Sequence, residues 1–169
     1  MKTIHEINRL PETECEQALQ NCCGSTRWVR QMLIARPYES AEFIFVLAEN
    51  IWCGLGEDDF LEAFSHHPKI GDRESLKKKF ASTAHWAGNE QSGVNAATEA
   101  VIEALAKGNE AYENKFGFIF IVCATGKSAE EMLAILQARL PNEREDELLI
   151  AAAEQAKITA LRLQKWITE

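Results

Sequence analysis

"SAEFIFVLAENIWCG", residues 40–54, decides the fold class. Phe43, Ile44, Leu47, Ala48 and Ile51, with Leu55 just beyond, recur at the spacing of one helical face and do not alternate as a half-buried strand would. Ser40 stands where a hydroxyl would accept one of the first free amides, and Gly54 and Gly56 stop the run. The stretch predicts a buried helix.

The same period extends along the chain. Residues 95–115 begin with Asn95 as a cap and carry Ala97, Val101, Leu105, Gly108 and Tyr112 down one face. Residues 128–140 open with Ser128 and Glu131, spaced as a capping box, ahead of Met132, Leu133, Ile135 and Leu136. A last helix runs from Asn142 nearly to the end, with Leu149, Ala153, Ala156, Ala160, Leu163 and Ile167 as its core stripe. Segments 12–21, 25–35 and 57–65 also read as helices, with Pro11 and Pro37 marking breaks. No repeat, low-complexity tract or long linker divides the chain. The expected architecture is therefore all-α, a single-domain bundle of about seven or eight helices spanning 1–169. Residues 66–94 keep no single period for long and are expected to hold the working surface.

"FGFIFIVCATGKS", residues 116–128, resembles a strand followed by a phosphate-binding loop. That loop needs a glycine where this chain has Ile121, so an apolar extended segment closed by a turn at Gly126 is the better reading.

Composition narrows the function. The 169 residues, 46% hydrophobic and 26% charged, suffice for one real core. Eighteen Lys and Arg against 26 Asp and Glu give a net charge of -8, which repels a phosphate backbone and argues against nucleic-acid binding. Cys15, Cys22, Cys23, Cys53 and Cys123 form no C-x-x-C pair, as suits a reducing cytosol. The first residues, "MKTIHEINRLPETE", carry no leader, and no run approaches the ~18 apolar residues of a membrane span, so a cytoplasmic protein with no membrane partner is expected. His66, His67, His85 and Glu90 are metal-ligating types, but adjacent histidines rarely reach one ion and no His-x-x-x-His pair occurs, so no metal is expected.

"HHPKIGD", residues 66–72, puts an imidazole immediately before a proline. Pro68 disfavours the helical region for His67, so a helix ending near His66 would present the His67 ring at a rigid corner. A ring held there suits proton transfer; it could equally cap carbonyls and pack. Glu90 and Gln91, in the glycine-bounded "GNEQSGV", could orient a small polar ligand or stand solvated in a loop. Arg162 lies one position off the apolar stripe of the last helix, where its guanidinium could fork onto a carboxylate or carbonyl, or its stem could simply cover apolar surface.

Four stretches taken together are more specific: "HPKIGD" at 67–72, "EQSGV" at 90–94, "NKFGFIFIVCATGKSAEEML" at 114–133 and "AKITALRLQKW" at 156–166. In this order and spacing the chain resembles the 2-oxo-4-hydroxy-4-carboxy-5-ureidoimidazoline (OHCU) decarboxylases of the ureide pathway, over nearly its whole length. The resemblance implies an all-helical fold, usually a homodimer, that needs no cofactor and converts the small-molecule substrate OHCU to (S)-allantoin and carbon dioxide. By position it implies that His67 is the catalytic histidine, Glu90 its acidic partner, and Gln91 part of the same motif. Arg162 would bind substrate from the last helix, Pro68 would line the ring pocket, and backbone groups of Ile119, Phe120 and Ile121 would bond ring and ureido atoms. Two positions depart from the family pattern. Ala87 stands where a serine is common, at a cost of about 1 kcal/mol if that hydrogen bond goes unreplaced, and Ile119 stands where proline is frequent.

The chemistry agrees. Loss of carbon dioxide leaves an electron pair that the imidazoline imine and carbonyl can take up, so the protein need supply only placement, complementary charge and a proton. A neutral His67 would bond the hydroxyl beside the departing carboxylate. The competing readings are a hydrolase or isomerase using His67 and Glu90 on a related ring, and a helical module that binds a ureide or purine derivative without turnover.

Overall fold

Ser40 caps its helix as the sequence predicts, its hydroxyl accepting the Phe43 N–H at 3.0 Å. The structure, a computed structural model, describes residues 1–67 and 91–167, with side chains given throughout that range except at 91–98. Its helices are α1 (Ile4–Arg9), α2 (Glu12–Cys22), α3 (Thr26–Ile34), α4 (Ala41–Cys53), α5 (Glu57–Ser65), α6 (Gln91–Phe116), α7 (Ala129–Arg139) and α8 (Arg144–Trp166). Among the described residues there is no strand, and one isolated parallel bridge joins Lys2 to Ile167. The all-α expectation holds.

The chain divides into two compact units, Met1–His67 with Ile150–Glu169, and Pro68–Leu149. In the first, Ile7, Leu19, Trp28, Met32, Ile44 and Phe64 are fully or almost fully buried. Buried polar groups find partners: Trp28 Nε1 donates to Ala48 O at 3.0 Å, and Trp52 Nε1 donates to Ala152 O at 2.9 Å. Arg36 closes the end of α1 by donating to the carbonyls of Ile7, Asn8 and Leu10. In the second unit, Leu105 and Tyr112 of α6 and Leu136 of α7 are buried, and Gly108 lets the two helices approach, since a Cβ there would meet Leu136 Cδ2 at 2.5 Å.

Four details differ from the sequence reading. Helix α1 was not expected; six residues are too few to show a period, yet Thr3 and Glu6 form a complete capping box. Helix α6 starts at Gln91 and not after Asn95, so the expected turn there is already helical. The buried face of α8 is Leu148, Ala152, Gln155, Thr159 and Leu163; its first four members stand one position before the expected Leu149, Ala153, Ala156 and Ala160, while Leu163 and Ile167 are buried as expected and Leu149 is 64% exposed. In α4 the deeply buried line is Ile44, Ala48 and Trp52, while Phe43, Leu47 and Ile51 are half-buried.

Candidate functional site

Helix α5 begins at Gly56, whose N–H is bonded by Asp59, and ends where the sequence requires. His66 N–H still bonds Ala63 O at 3.3 Å and His67 N–H bonds Phe64 O at 3.1 Å, after which Pro68 can offer no amide. The His67 ring therefore stands at the corner the sequence predicts, half-buried. The corner also rests on Gly24, where an added Cβ would lie 2.6 Å from His66 Cβ and Cγ.

The ring meets Gln155 of α8, its Nε2 lying 2.5 Å from Gln155 Oε1. Gln155 is completely buried, and its amide donates onward to Thr159 Oγ1 at 3.1 Å. Burial pushes the ionisation of His67 below the ordinary imidazole range, the bond to Gln155 opposes this, and the positive charges of Arg162 and His66 reinforce it. A ring so placed is neutral near pH 7, which equips it to accept a proton.

Arg162, half-buried on the same helix, donates from Nη1 to the carbonyls of Asn21 at 3.2 Å and Cys22 at 3.3 Å. These bonds tether Nη1 of the guanidinium to the end of α2. Burial raises Cys22 to about 12 and Cys23 to about 11, so both thiols stay protonated and neither is a ready nucleophile.

The second unit holds the apolar segment 118–124, which forms no strand, as expected, and turns at Gly126 with φ +77°. Ile121 is buried and Ile119 and Phe120 are half-buried. A buried ionic cluster fixes this segment. Arg139 Nη1 donates to Ile121 O at 2.8 Å, Arg139 Nε donates to Glu147 Oε1 at 2.7 Å, and the Arg139 guanidinium lies 4.8 Å from the Phe120 ring centre. Tyr112 donates to the same Glu147 carboxylate and Asn142 donates to its other oxygen at 2.8 Å.

The structure thus brings together His67 and Arg162, and separately holds the backbone of Ile119, Phe120 and Ile121. Pro68 and Glu90 lie outside the described residues, as does the side chain of Gln91, whose backbone opens α6. Sequence reasoning missed Gln155, Thr159, Arg139 and Glu147. Among the described residues, no group of three or more His, Cys, Asp or Glu side chains is arranged to hold a metal ion, and no helix is long and apolar enough to cross a membrane.

Comparison with known proteins adds an independent line. A profile of the OHCU decarboxylase family matches residues 8–164. The chain is 43% identical over 152 residues to the uric acid degradation bifunctional protein TTL of Arabidopsis thaliana, covering 88% of this chain but only 46% of that protein. The chain thus spans less than half the length of that relative. It is 23% identical over 162 residues to a 2-oxo-4-hydroxy-4-carboxy-5-ureidoimidazoline decarboxylase of Haloferax volcanii, covering 95% of this chain and 94% of the other. A crystal structure of an OHCU decarboxylase in the presence of (S)-allantoin superposes with a TM-score of 0.70 at 36% identity, covering 87% of this chain and 94% of that one.

Proposed function

The chain belongs to the OHCU decarboxylase family, and we propose that it removes carbon dioxide from 2-oxo-4-hydroxy-4-carboxy-5-ureidoimidazoline to give (S)-allantoin, the last step of urate degradation. One observation carries the assignment of the reacting group. His67 is a half-buried imidazole kept neutral near pH 7, with the fixed positive charge of Arg162 close by. A base beside a cation suits a reaction that withdraws a proton from a hydroxyl while negative charge develops on a ring.

His67 bonds, and takes the proton of, the substrate hydroxyl next to the carboxylate. The carbon–carboxylate bond then breaks, and its electron pair passes into the ring imine. The carbanionic ring carbon accepts one proton on one face, which gives the single enantiomer. Arg162 holds ring or ureido oxygens and offsets the developing charge. One head nitrogen, Nη1, is committed to the carbonyls of Asn21 and Cys22, which keeps the guanidinium from swinging away. Glu90 and Gln91 orient the ring, Pro68 lines the ring pocket, and backbone groups of Ile119, Phe120 and Ile121 bond ring and ureido atoms. The chemistry asks for no cofactor, because the substrate's own imine and carbonyl are the electron sink.

Residues 1–169 work as one decarboxylase domain, a reading supported by a family match that runs through both compact units. The protein is a cytoplasmic homodimer, and its free cysteines suit a reducing compartment.

The test is circular dichroism of OHCU generated in situ from urate. Wild-type protein should produce the (S)-allantoin band rapidly, whereas spontaneous decay yields a racemate without lasting signal. His67→Ala should slow its appearance by roughly 10²- to 10⁴-fold, the range of a lost general base. Full rate and stereochemistry in His67→Ala would remove the role given to the ring, and no band from well-folded wild type would end the decarboxylase reading.

A further inference from the structure

Gln155 is a polar side chain with no exposure at all, on a helix face it shares with Leu148, Ala152, Thr159 and Leu163. A buried amide is costly unless both its ends are bonded, and here both are: Oε1 to His67 Nε2 at 2.5 Å and Nε2 to Thr159 Oγ1 at 3.1 Å. We propose that Gln155 is the positioning residue that fixes the tautomer of His67, placing the proton on Nε2 and leaving Nδ1 as the nitrogen that meets substrate.

The direction of the chain of bonds follows from the amide. Its nitrogen can only donate, and it faces Thr159 Oγ1 at 3.1 Å, so the hydroxyl oxygen accepts there. The amide oxygen then faces His67. An oxygen cannot donate, so His67 Nε2 carries the hydrogen. In a neutral imidazole the lone pair is then on Nδ1. Cys23 and Gln155 are fully buried and Thr159 is nearly so, which shields the order of donors from competing water.

An amide does this without adding charge. A carboxylate in its place would hold the ring protonated, whereas Gln155 orients the ring and leaves it neutral beside Arg162 of α8 and His66 of its own turn. Among the described residues, the other ionisable groups near this chain of bonds are the Cys22 and Cys23 thiols at the end of α2 and Glu62 of α5. The assignment of Nδ1 as the working nitrogen rests on the decarboxylase reading; the tautomer itself does not.

The experiment joins nitrogen-15 NMR of the imidazoles near neutral pH with the pH profile of kcat, for wild type, Gln155→Leu and Gln155→Glu. Wild type should show His67 protonated at Nε2 and bare at Nδ1. Gln155→Leu should populate the other tautomer and lose roughly 10- to 100-fold in kcat, as when the orienting partner of a functional histidine is removed, with KM near wild type. Its acid limb should move to lower pH, because the bond to Gln155 favours the protonated ring. Gln155→Glu should keep the Nε2–H tautomer and move the acid limb to higher pH. Wild type protonated at Nδ1, or an unchanged tautomer and profile in folded Gln155→Leu, would overturn the proposal. If Gln155→Leu folds poorly, the nearly isosteric Gln155→Glu decides alone, and an acid limb that does not rise is the negative result. An Nε2–H tautomer in a wild type that makes no (S)-allantoin would uphold the positioning and refute the decarboxylase reading instead.

Discussion

Nε2 of His67 lies 2.5 Å from Oε1 of Gln155, a contact between residues 88 apart in sequence that ties the corner after α5 to the buried face of α8. The same helix carries Arg162, tethered to the end of α2. Helix α8 therefore supplies both the amide bonded to the ring and a positive charge that adds to burial in lowering its ionisation.

The ionisation of His67 gives stability a pH dependence whose sign can be worked out. The ring is held below its unfolded value, mainly by burial, so between the folded and unfolded values the unfolded chain binds more protons. The contribution is fully present above the unfolded value of about 6.5 and is lost as pH falls through the folded one. Wild type should lose more of its urea midpoint between about pH 7.5 and about pH 5 than His67→Gln does. Equal losses in the two proteins would show that the ring titrates normally.

Much of this was legible in the sequence, and what was missed has identifiable causes. Ser40, Ser128 and Pro68 mark ends that the structure respects, because caps and prolines act locally. Counting only apolar residues places the first part of the α8 stripe one position too far along. Leu148, Ala152, Gln155, Thr159 and Leu163 keep the helical period once two polar members are admitted, and a polar residue inside a buried stripe is itself the signal of a bonded, working group. Arg139 and Glu147 pair across a helix–helix turn, which no single-helix spacing reveals. Gln91 was read in a turn because Gly93 follows it; a glycine weakens a helix by only about 1 kcal/mol, and α6 runs through it.

The Arg139–Glu147 pair predicts a large and reversible stability loss. Glu147 is wholly buried and Arg139 is 7% exposed, so removing the cation leaves a carboxylate whose remaining side-chain partners among the described residues are Tyr112 and Asn142. Arg139→Met should destabilise by about 3–5 kcal/mol in urea unfolding, the usual cost of stranding one buried charge. Adding Glu147→Leu should recover part of that loss, since no charge is then left unpaired. Arg139→Met should also raise KM for OHCU, because it frees the Ile121 carbonyl and the backbone beside it. A double variant no more stable than Arg139→Met would mean the arginine matters only as packing.

Gly24 offers the sharpest steric test of the corner that presents His67. It is buried between α2 and α3, and a Cβ there would stand 2.6 Å from both Cβ and Cγ of His66 and 2.8 Å from Cδ2. A flexible side-chain tip could swing aside, but His66 Cβ is bonded to the backbone, so only a shift of the end of α5 relieves the clash. That shift carries His67, the next residue, away from Gln155. Gly24→Ala should therefore cost about 1–3 kcal/mol, as overpacking generally does, and should lower kcat as well, since the base is displaced. His66→Gly removes the Cβ that is struck, so the pair Gly24→Ala with His66→Gly should regain kcat relative to Gly24→Ala alone, even though a second glycine loosens the unfolded chain. Thermal unfolding and the circular dichroism assay on the three variants separate the two effects. Gly24→Ala with wild-type stability and rate would show that the corner yields without moving the ring, whereas rescue of rate by His66→Gly would tie the placement of His67 to the absence of one carbon atom on Gly24.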